Sequence, residues 1–188
     1  MKKNKILIIT YILALSIISS GCNFIKVNEG ILYGNEDSPI EIINYTSFQC
    51  SACTTLHEEL GESIKKYIDS GQIKYIEKQI DIKRFEYDDV IYKHMNEEQI
   101  SDFEKLSEIY EKQDKWIVLK SPEEVIEFLN LEQEENKKHV KDLKKINKEK
   151  DKLEIKAVPT MFINGERIEG NISKEEFENK IESLLNKK

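Results

Sequence analysis

Two cysteines three positions apart, Cys50 and Cys53, are the residues of this sequence best suited to chemistry. They lie where an extended apolar stretch gives way to a helical pattern. At a helix N-terminus the unpaired backbone N–H groups and the macrodipole favour a thiolate, so Cys50 is predicted to be the nucleophile of a redox site. Cys53, one turn further into the helix, would meet solvent less readily and suits a resolving thiol.

Two other interpretations of the pair stay open. A metal site would need a third ligand, and His57 lies roughly on the same helix face as the cysteines, so zinc or copper could bind there. A structural disulfide is the other alternative, although a loop this short constrains the unfolded chain little. The remaining histidines, His94 and His139, fall in a charged region and are expected at the surface.

The N-terminal residues predict export. Three lysines within residues 1–5 precede an apolar run at 6–18 that leads into small residues, which is a secretory signal pattern. As a helix the run would span ~20 Å, short of the ~30 Å hydrocarbon core of a bilayer. A signal peptide at residues 1–21 is therefore favoured over a permanent membrane anchor.

Residues 19–22, Ser-Ser-Gly-Cys, resemble the lipobox of bacterial lipoproteins. The resemblance implies that Cys22 is lipidated and anchors the protein to the outer face of the cell membrane. Ser19 departs from the pattern, in which an aliphatic residue is usual, and an ordinary cleaved signal or an uncleaved anchor are the alternatives. Lipidation of Cys22 would leave one even cysteine pair in an oxidising, extracytoplasmic compartment.

The charge balance argues against nucleic acid as a partner. Loss of residues 1–21, with their three lysines, changes the formal net charge from −7 to −10, whereas proteins that bind phosphate backbones are basic. The lysines of residues 144–150 are interspersed with acidic residues. They are predicted to form a solvated helix face.

Periodicity divides the rest of the chain into three blocks. Residues 38–48 and 72–82 are predicted strands on either side of a helix that begins at the cysteines. Residues 86–153 are charged and helix-forming, and capping signals predict three or four helices there. Residues 157–170 form two strands around the turn Asn164-Gly165, and a final helix follows.

This order, β-α-β, helices, β-β-α, predicts an α/β protein with a thioredoxin fold interrupted by a helical insertion. The predicted boundaries are a tether at residues 22–34, a thioredoxin-like domain at 35–85 and 154–188, and the insertion at 86–153. Within the insertion, Trp116 and Phe128 are expected in the core, and WIVL at 116–119 is its main strand signal.

Two segments resemble the DsbA-like thiol-disulfide oxidoreductases of the thioredoxin superfamily, most closely their membrane-tethered Gram-positive members. These segments are GNEDSPIEIINYTSFQCSAC at 34–53 and AVPTMFINGERIEG at 157–170. The resemblance implies that Cys50 and Cys53 exchange disulfides with cysteine-containing exported proteins, without a cofactor or a metal.

The same resemblance assigns the second segment a place beside the cysteines. It implies that the Val158–Pro159 peptide bond is cis and faces the CxxC motif. The Val158 backbone would then pair with an extended client chain and hold the client sulfur in line with Cys50. Thr160 would border the site.

Three features depart from the family pattern. Asn44, six positions before Cys50, stands where an acidic residue commonly assists proton movement from the buried thiol, and Ser47 stands where Asp is common. The proton would need another route, through water or Glu41, or turnover would be slow. The dipeptide Ser51-Ala52 matches neither the Pro-His of strong oxidants nor the Gly-Pro of reductants.

The direction of electron flow determines which membrane partner the protein needs. The family resemblance favours oxidation of client thiols, after which a quinone-linked membrane partner would re-oxidise the protein. A reductase is the alternative, and it would draw electrons from a transmembrane donor.

Overall fold

The structure, a computed structural model, describes residues 29–187, so the predicted signal peptide and Cys22 lie outside the described residues. None of the helices between residues 29 and 187 has both the length and the apolar character needed to cross a membrane.

A five-stranded mixed sheet organises the fold, in the order β1-β3-β2-β4-β5. The strands are β1 Ile31–Tyr33, β2 Ile40–Thr46, β3 Ile73–Gln79, β4 Thr160–Ile163 and β5 Glu166–Glu169. β2 and β3 are parallel, and the other neighbouring pairs are antiparallel. The two parallel strands are buried along nearly their whole length, as expected for strands covered on both faces.

Helices surround this sheet within residues 29–187. They are α1 Ser51–Asp69, α2 Asp88–His94, α3 Glu97–Ser101, α4 Phe103–Glu111, α5 Gln113–Trp116, α6 Pro122–Phe128, α7 Lys137–Lys152 and α8 Lys174–Leu185. α1 packs against β3, α4 and α8, and it buries Leu56, Leu60 and Ile64 at helical spacing. The predicted thioredoxin fold is confirmed, and α2–α7 form a helical insertion between β3 and β4.

Local signals in the sequence set several of these boundaries. Asn96 and Ser173 each form a capping box at the start of a helix, and the Ser121 side chain accepts a hydrogen bond from the Glu124 N–H. Asn164 and Gly165 join β4 to β5 with φ values of 47° and 82°. Positive φ at both central residues is what a tight type I′ hairpin turn requires.

The predicted tether extends too far. Residues 31–33 form β1, which pairs antiparallel with β3 and buries Ile31 and Tyr33. A three-residue strand is too short to show a clear alternating pattern, which explains why it was not predicted.

The insertion also differs from the prediction. It holds six helices within residues 86–153 instead of three or four, because further N-caps at Asp102 and Asn136 divide the charged stretch. Residues 117–119 form no strand. Trp116 is fully buried, as predicted, and its indole N–H donates to the Ile109 carbonyl oxygen at 2.7 Å. Phe128 is 43% exposed at the end of α6, so its predicted core position was wrong.

Candidate active site

Cys50 is the N-cap residue of α1, beside the unpaired N–H groups of the first helical turn. The Cys53 thiol donates a hydrogen bond to the Cys50 sulfur, and the backbone N–H groups of Cys53 and Ala52 and the Arg84 charge act in the same direction. Against the opposing effect of burial, these contacts lower the pKa of Cys50 to about 6. Cys50 is half-buried and is a free thiol in the structure. Its sulfur is therefore a thiolate at neutral pH.

Cys53 lies one turn further along α1 and is fully buried. Burial, followed by the hydrogen bond and charge of Cys50, raises the pKa of Cys53 well above the ordinary thiol range. Hydrogen bonds from the Thr46 side chain and the Ser47 backbone oppose this shift. The two cysteines thus differ as the sequence predicts, with one accessible thiolate and one protected neutral thiol.

The start of the second family-like segment, residues 157–170, lies directly against Cys50. The Cys50 sulfur lies 3.6 Å from the Val158 carbonyl oxygen, to which it donates when it is protonated, and the Val158–Pro159 peptide bond is cis, as the resemblance implies. Pro159 and Thr160 are buried. The Thr160 hydroxyl donates to the Ala157 carbonyl oxygen at 2.8 Å, a hydrogen bond within its own loop.

A buried carboxylate, Asp88 at the start of α2, holds the loop that precedes α1. Its two oxygens accept hydrogen bonds from the Ser47 hydroxyl at 2.6 Å and the Gln49 N–H at 2.8 Å. The pKa of Asp88 is raised to about 7, mainly by burial and in part by the charge of Cys50. The two hydrogen bonds act in the opposite direction and lower it. Ser47 stands where the family commonly has an Asp. Here an acid from another element, Asp88, contacts Ser47 instead. No pattern around residue 88 indicated this role.

A second buried carboxylate, Glu77, lies beside Asn44. The two residues are partners in the β2–β3 register, and the Asn44 side-chain N–H donates to Glu77 at 3.3 Å. Tyr75 donates to the same carboxylate at 2.9 Å and Tyr110 at 2.5 Å. Sequence reasoning missed Glu77 because the alternating pattern of residues 72–82 predicts a strand but not its register with β2.

Hydroxyl groups connect Glu77 to the buried thiol. The Thr46 hydroxyl acts on Cys53 by lowering its pKa, and its oxygen is 3.0 Å from the Tyr110 hydroxyl, which donates to Glu77. Glu41, suggested as a proton route, instead forms an ion pair with Lys74 at 3.1 Å near the opposite end of β2. The contacts thus form a continuous path from Cys53 through Thr46 and Tyr110 to Glu77.

Two of the histidines, His57 and His139, are buried. His57 is buried, its ring lies 3.8 Å from the Tyr110 ring in a stacked arrangement, and its Nε2 is 3.7 Å from Glu77. His139 is also buried, with Nδ1 2.7 Å from the Tyr92 carbonyl oxygen, so the predicted surface role was wrong. Among residues 29–187 no three His, Cys, Asp or Glu side chains are grouped as metal ligands.

Comparison with known proteins places this geometry in a family. A family model described as Thioredoxin matches residues 26–183. A Bacillus cereus protein named "Probable disulfide bond formation protein D" is 28% identical over 186 residues, which cover 85% of this chain and 83% of that protein.

Two solved structures share the fold. A conserved protein of unknown function from Enterococcus faecalis has a TM-score of 0.71 and 21% identity, with 82% of this chain and 90% of that chain covered. The α-DsbA1 of Wolbachia pipientis has a TM-score of 0.69 and 24% identity, with 86% and 92% covered. The chain therefore belongs to the thioredoxin family.

Proposed function

We propose that this protein is an extracytoplasmic oxidase that transfers its Cys50–Cys53 disulfide to cysteine-containing exported proteins. The observation that carries the proposal is the asymmetry of the pair: Cys50 has its pKa lowered to about 6 and Cys53 is fully buried. The name of the Bacillus cereus relative, a disulfide bond formation protein, agrees with this chemistry.

The reaction proceeds through two exchanges. A client thiolate attacks the Cys50 sulfur of the disulfide, an S–S bond forms between client and Cys50, and Cys53 leaves and takes up a proton. A second client thiolate then attacks the client sulfur of this mixed disulfide, and Cys50 leaves as a thiolate. The client loses two electrons and two protons; the protein gains both electrons, Cys53 holds one proton, and the other proton is released to water.

The lowered pKa of Cys50 favours this direction. A thiolate that is stable at neutral pH is a good leaving group, and its stabilisation lowers the free energy of the dithiol form relative to the disulfide. The cis peptide segment supports the client-binding role proposed for Val158, Pro159 and Thr160, because Val158 contacts Cys50 directly.

The proposed location follows from the N-terminal sequence. A signal peptide at residues 1–21 and lipidation of Cys22 would anchor the domain outside the cell membrane. There an oxidase requires a quinone-linked membrane partner to restore its disulfide after each turnover.

The redox equilibrium of the Cys50/Cys53 pair against glutathione buffers tests the proposal, on protein that lacks residues 1–22. A potential above about −180 mV would support disulfide donation, whereas one near about −270 mV would make the protein a reductant supplied by a transmembrane donor. A Cys50→Ser, Cys53→Ser variant is the control, and it should lose all exchange activity. Retained function in that variant would instead indicate a binding protein.

A further inference from the structure

A groove beside Cys50 has a charge opposite to that of the protein as a whole. Its volume is about 480 Å³, and Cys50 and Val158 are among the residues that line it. The other lining residues come from two loops, 80–85 and 155–158, and from Lys150 of α7. We call it the basic groove.

Cations dominate the polar lining of the basic groove. Four of them, Lys83, Arg84, Lys150 and Lys156, face one acidic residue, Asp81. The whole chain has a formal net charge of −7, so positive charge at the reacting sulfur is a local reversal. A concave site lined by one sign of charge attracts the opposite charge and speeds its arrival.

In the part of the chain that the structure describes, most of these cations are not used in ion pairs that would stabilise the fold. Lys83, Arg84 and Lys156 are exposed, and within residues 29–187 none of them forms an ion pair with a carboxylate. Lys150 was predicted to lie on a solvated helix face, but its side chain is 24% exposed and lines the groove, 3.6 Å from Asp151. The positive charge of Lys83, Arg84 and Lys156 therefore remains available to a bound molecule.

The basic groove also offers apolar surface. Ile82 and Phe85 are half-buried, and Ile80 and Ile155 are buried beneath the same lining. The volume lies within the ~300–1,000 Å³ range of ligand clefts, which suits a short peptide segment. An extended chain rises ~3.3 Å per residue, so a client whose sulfur reaches Cys50 would place its next few residues in the groove.

We propose that the basic groove selects clients that carry acidic side chains within about four residues of the reactive cysteine. The inference rests on the thiol-disulfide exchange proposed above and applies to either direction of electron flow. The groove positions the client, and the covalent steps remain those of Cys50 and Cys53.

Three peptides with the same cysteine pair test the inference. Their flanking residues are Asp/Glu, Asn/Gln or Lys, and each is mixed with the full mature chain in its disulfide form. At low ionic strength the acidic peptide should be oxidised about ten-fold faster than the basic one, and the difference should shrink as salt is added. Equal rates for all three peptides would overturn the inference.

Charge-reversal variants locate the effect. A Lys83→Glu, Lys156→Glu variant should lose or invert the preference, and Lys83→Met, Lys156→Met provides a neutral version with the same expected loss. Arg84 is left in place because its charge also acts on the Cys50 sulfur. The matched control is Lys137→Glu, Lys141→Glu, which makes the same charge change at exposed positions of α7. Lys137 lies roughly 20 Å along the helix from Lys150.

A neutral dithiol separates this inference from the proposed function. Dithiothreitol attacks as a thiolate, as the peptides do, but has no flanking charged residues, so the change in its rate in each lysine variant measures the part of the effect that does not depend on the flanking residues. If dithiothreitol reacts normally and the peptides show no charge preference, only the groove inference fails. If the protein exchanges disulfides with none of these reagents, the proposed function fails with it.

Discussion

The Ser47 hydroxyl donates a hydrogen bond of 2.6 Å to the carboxylate of Asp88. The two residues are 41 positions apart, and Asp88 belongs to the helical insertion. The same carboxylate accepts the Gln49 N–H, directly before Cys50. The insertion therefore places a titratable carboxyl group against the loop that precedes α1, and the charge of Cys50 contributes to the raised pKa of this group.

Replacement of Asp88 by Asn should lower the pKa of Cys50 further. Asp88 is partly ionised where Cys50 titrates, and its charge repels the thiolate. Asn removes that charge, its Oδ1 can accept from the Gln49 N–H, and its Nδ2 can donate to the Ser47 hydroxyl, which reverses the direction of that bond. We expect a shift of roughly one unit or less, measured by the ultraviolet absorbance of the thiolate during a pH titration.

The adjacent acid provides a matched control for this substitution. Asp89 forms an ion pair with Lys93 at 2.6 Å, whereas the hydrogen bonds from Ser47 and Gln49 go to Asp88. Asp89→Asn should therefore leave the pKa of Cys50 nearly unchanged. Equal effects from the two substitutions would show that only the general charge of α2 matters.

Asp88 should also make the folded protein less stable as pH rises. Its pKa is about 7 in the folded protein and 3.8 in the reference state, so between these values the folded protein holds a proton that the unfolded chain has lost. The free energy of unfolding then falls as pH increases from about 4 to about 7, by about 4 kcal/mol at most.

Urea unfolding of the disulfide form across this pH range tests the effect, since Cys50 does not titrate there. Other acids titrate in the same range, so the measured quantity is the difference between the unaltered protein and Asp88→Asn. The variant should gain stability relative to the unaltered protein as pH rises. A constant difference would mean that Asp88 ionises at its ordinary pKa.

The sequence predicts the role of the cysteines and the helix that begins at them, because the signals for both are local. Cys50, Cys53, the Asn164-Gly165 turn and the capping residues each act within a few positions of the chain. The supporting acids are different, because Glu77 reaches Asn44 through strand register and Asp88 reaches Ser47 through packing of the insertion. Such contacts depend on tertiary arrangement, which periodicity does not specify.

Lipidation of Cys22 gives a prediction for the N-terminal segment. Cells that express the protein should incorporate labelled fatty acid into it, and it should partition into a detergent phase. Cys22→Ala should abolish both, and Cys50→Ser should change neither. Fatty-acid incorporation that persists in Cys22→Ala would show that the lipobox interpretation is wrong.

Glu77→Gln should slow the step in which Cys53 takes up or loses its proton. The carboxylate lies at the end of the path through Thr46 and Tyr110, and Gln cannot exchange a proton in the same way. We expect about a ten-fold loss in the rate of exchange, with an altered pH profile. Alkylation of Cys50 in a Cys53→Ala background should be unaffected, because that reaction does not involve the buried thiol.

Two tyrosines make this prediction specific. Tyr110→Phe removes the hydroxyl that links Thr46 to Glu77, whereas Tyr75→Phe removes a hydroxyl that contacts the same carboxylate away from that path. Both changes leave Glu77 with one hydrogen bond fewer, so any general effect on the carboxylate should be shared. Only Tyr110→Phe should reproduce the slow proton step of Glu77→Gln. Equal rates in the two tyrosine variants would mean that protons reach Cys53 by a route other than this path.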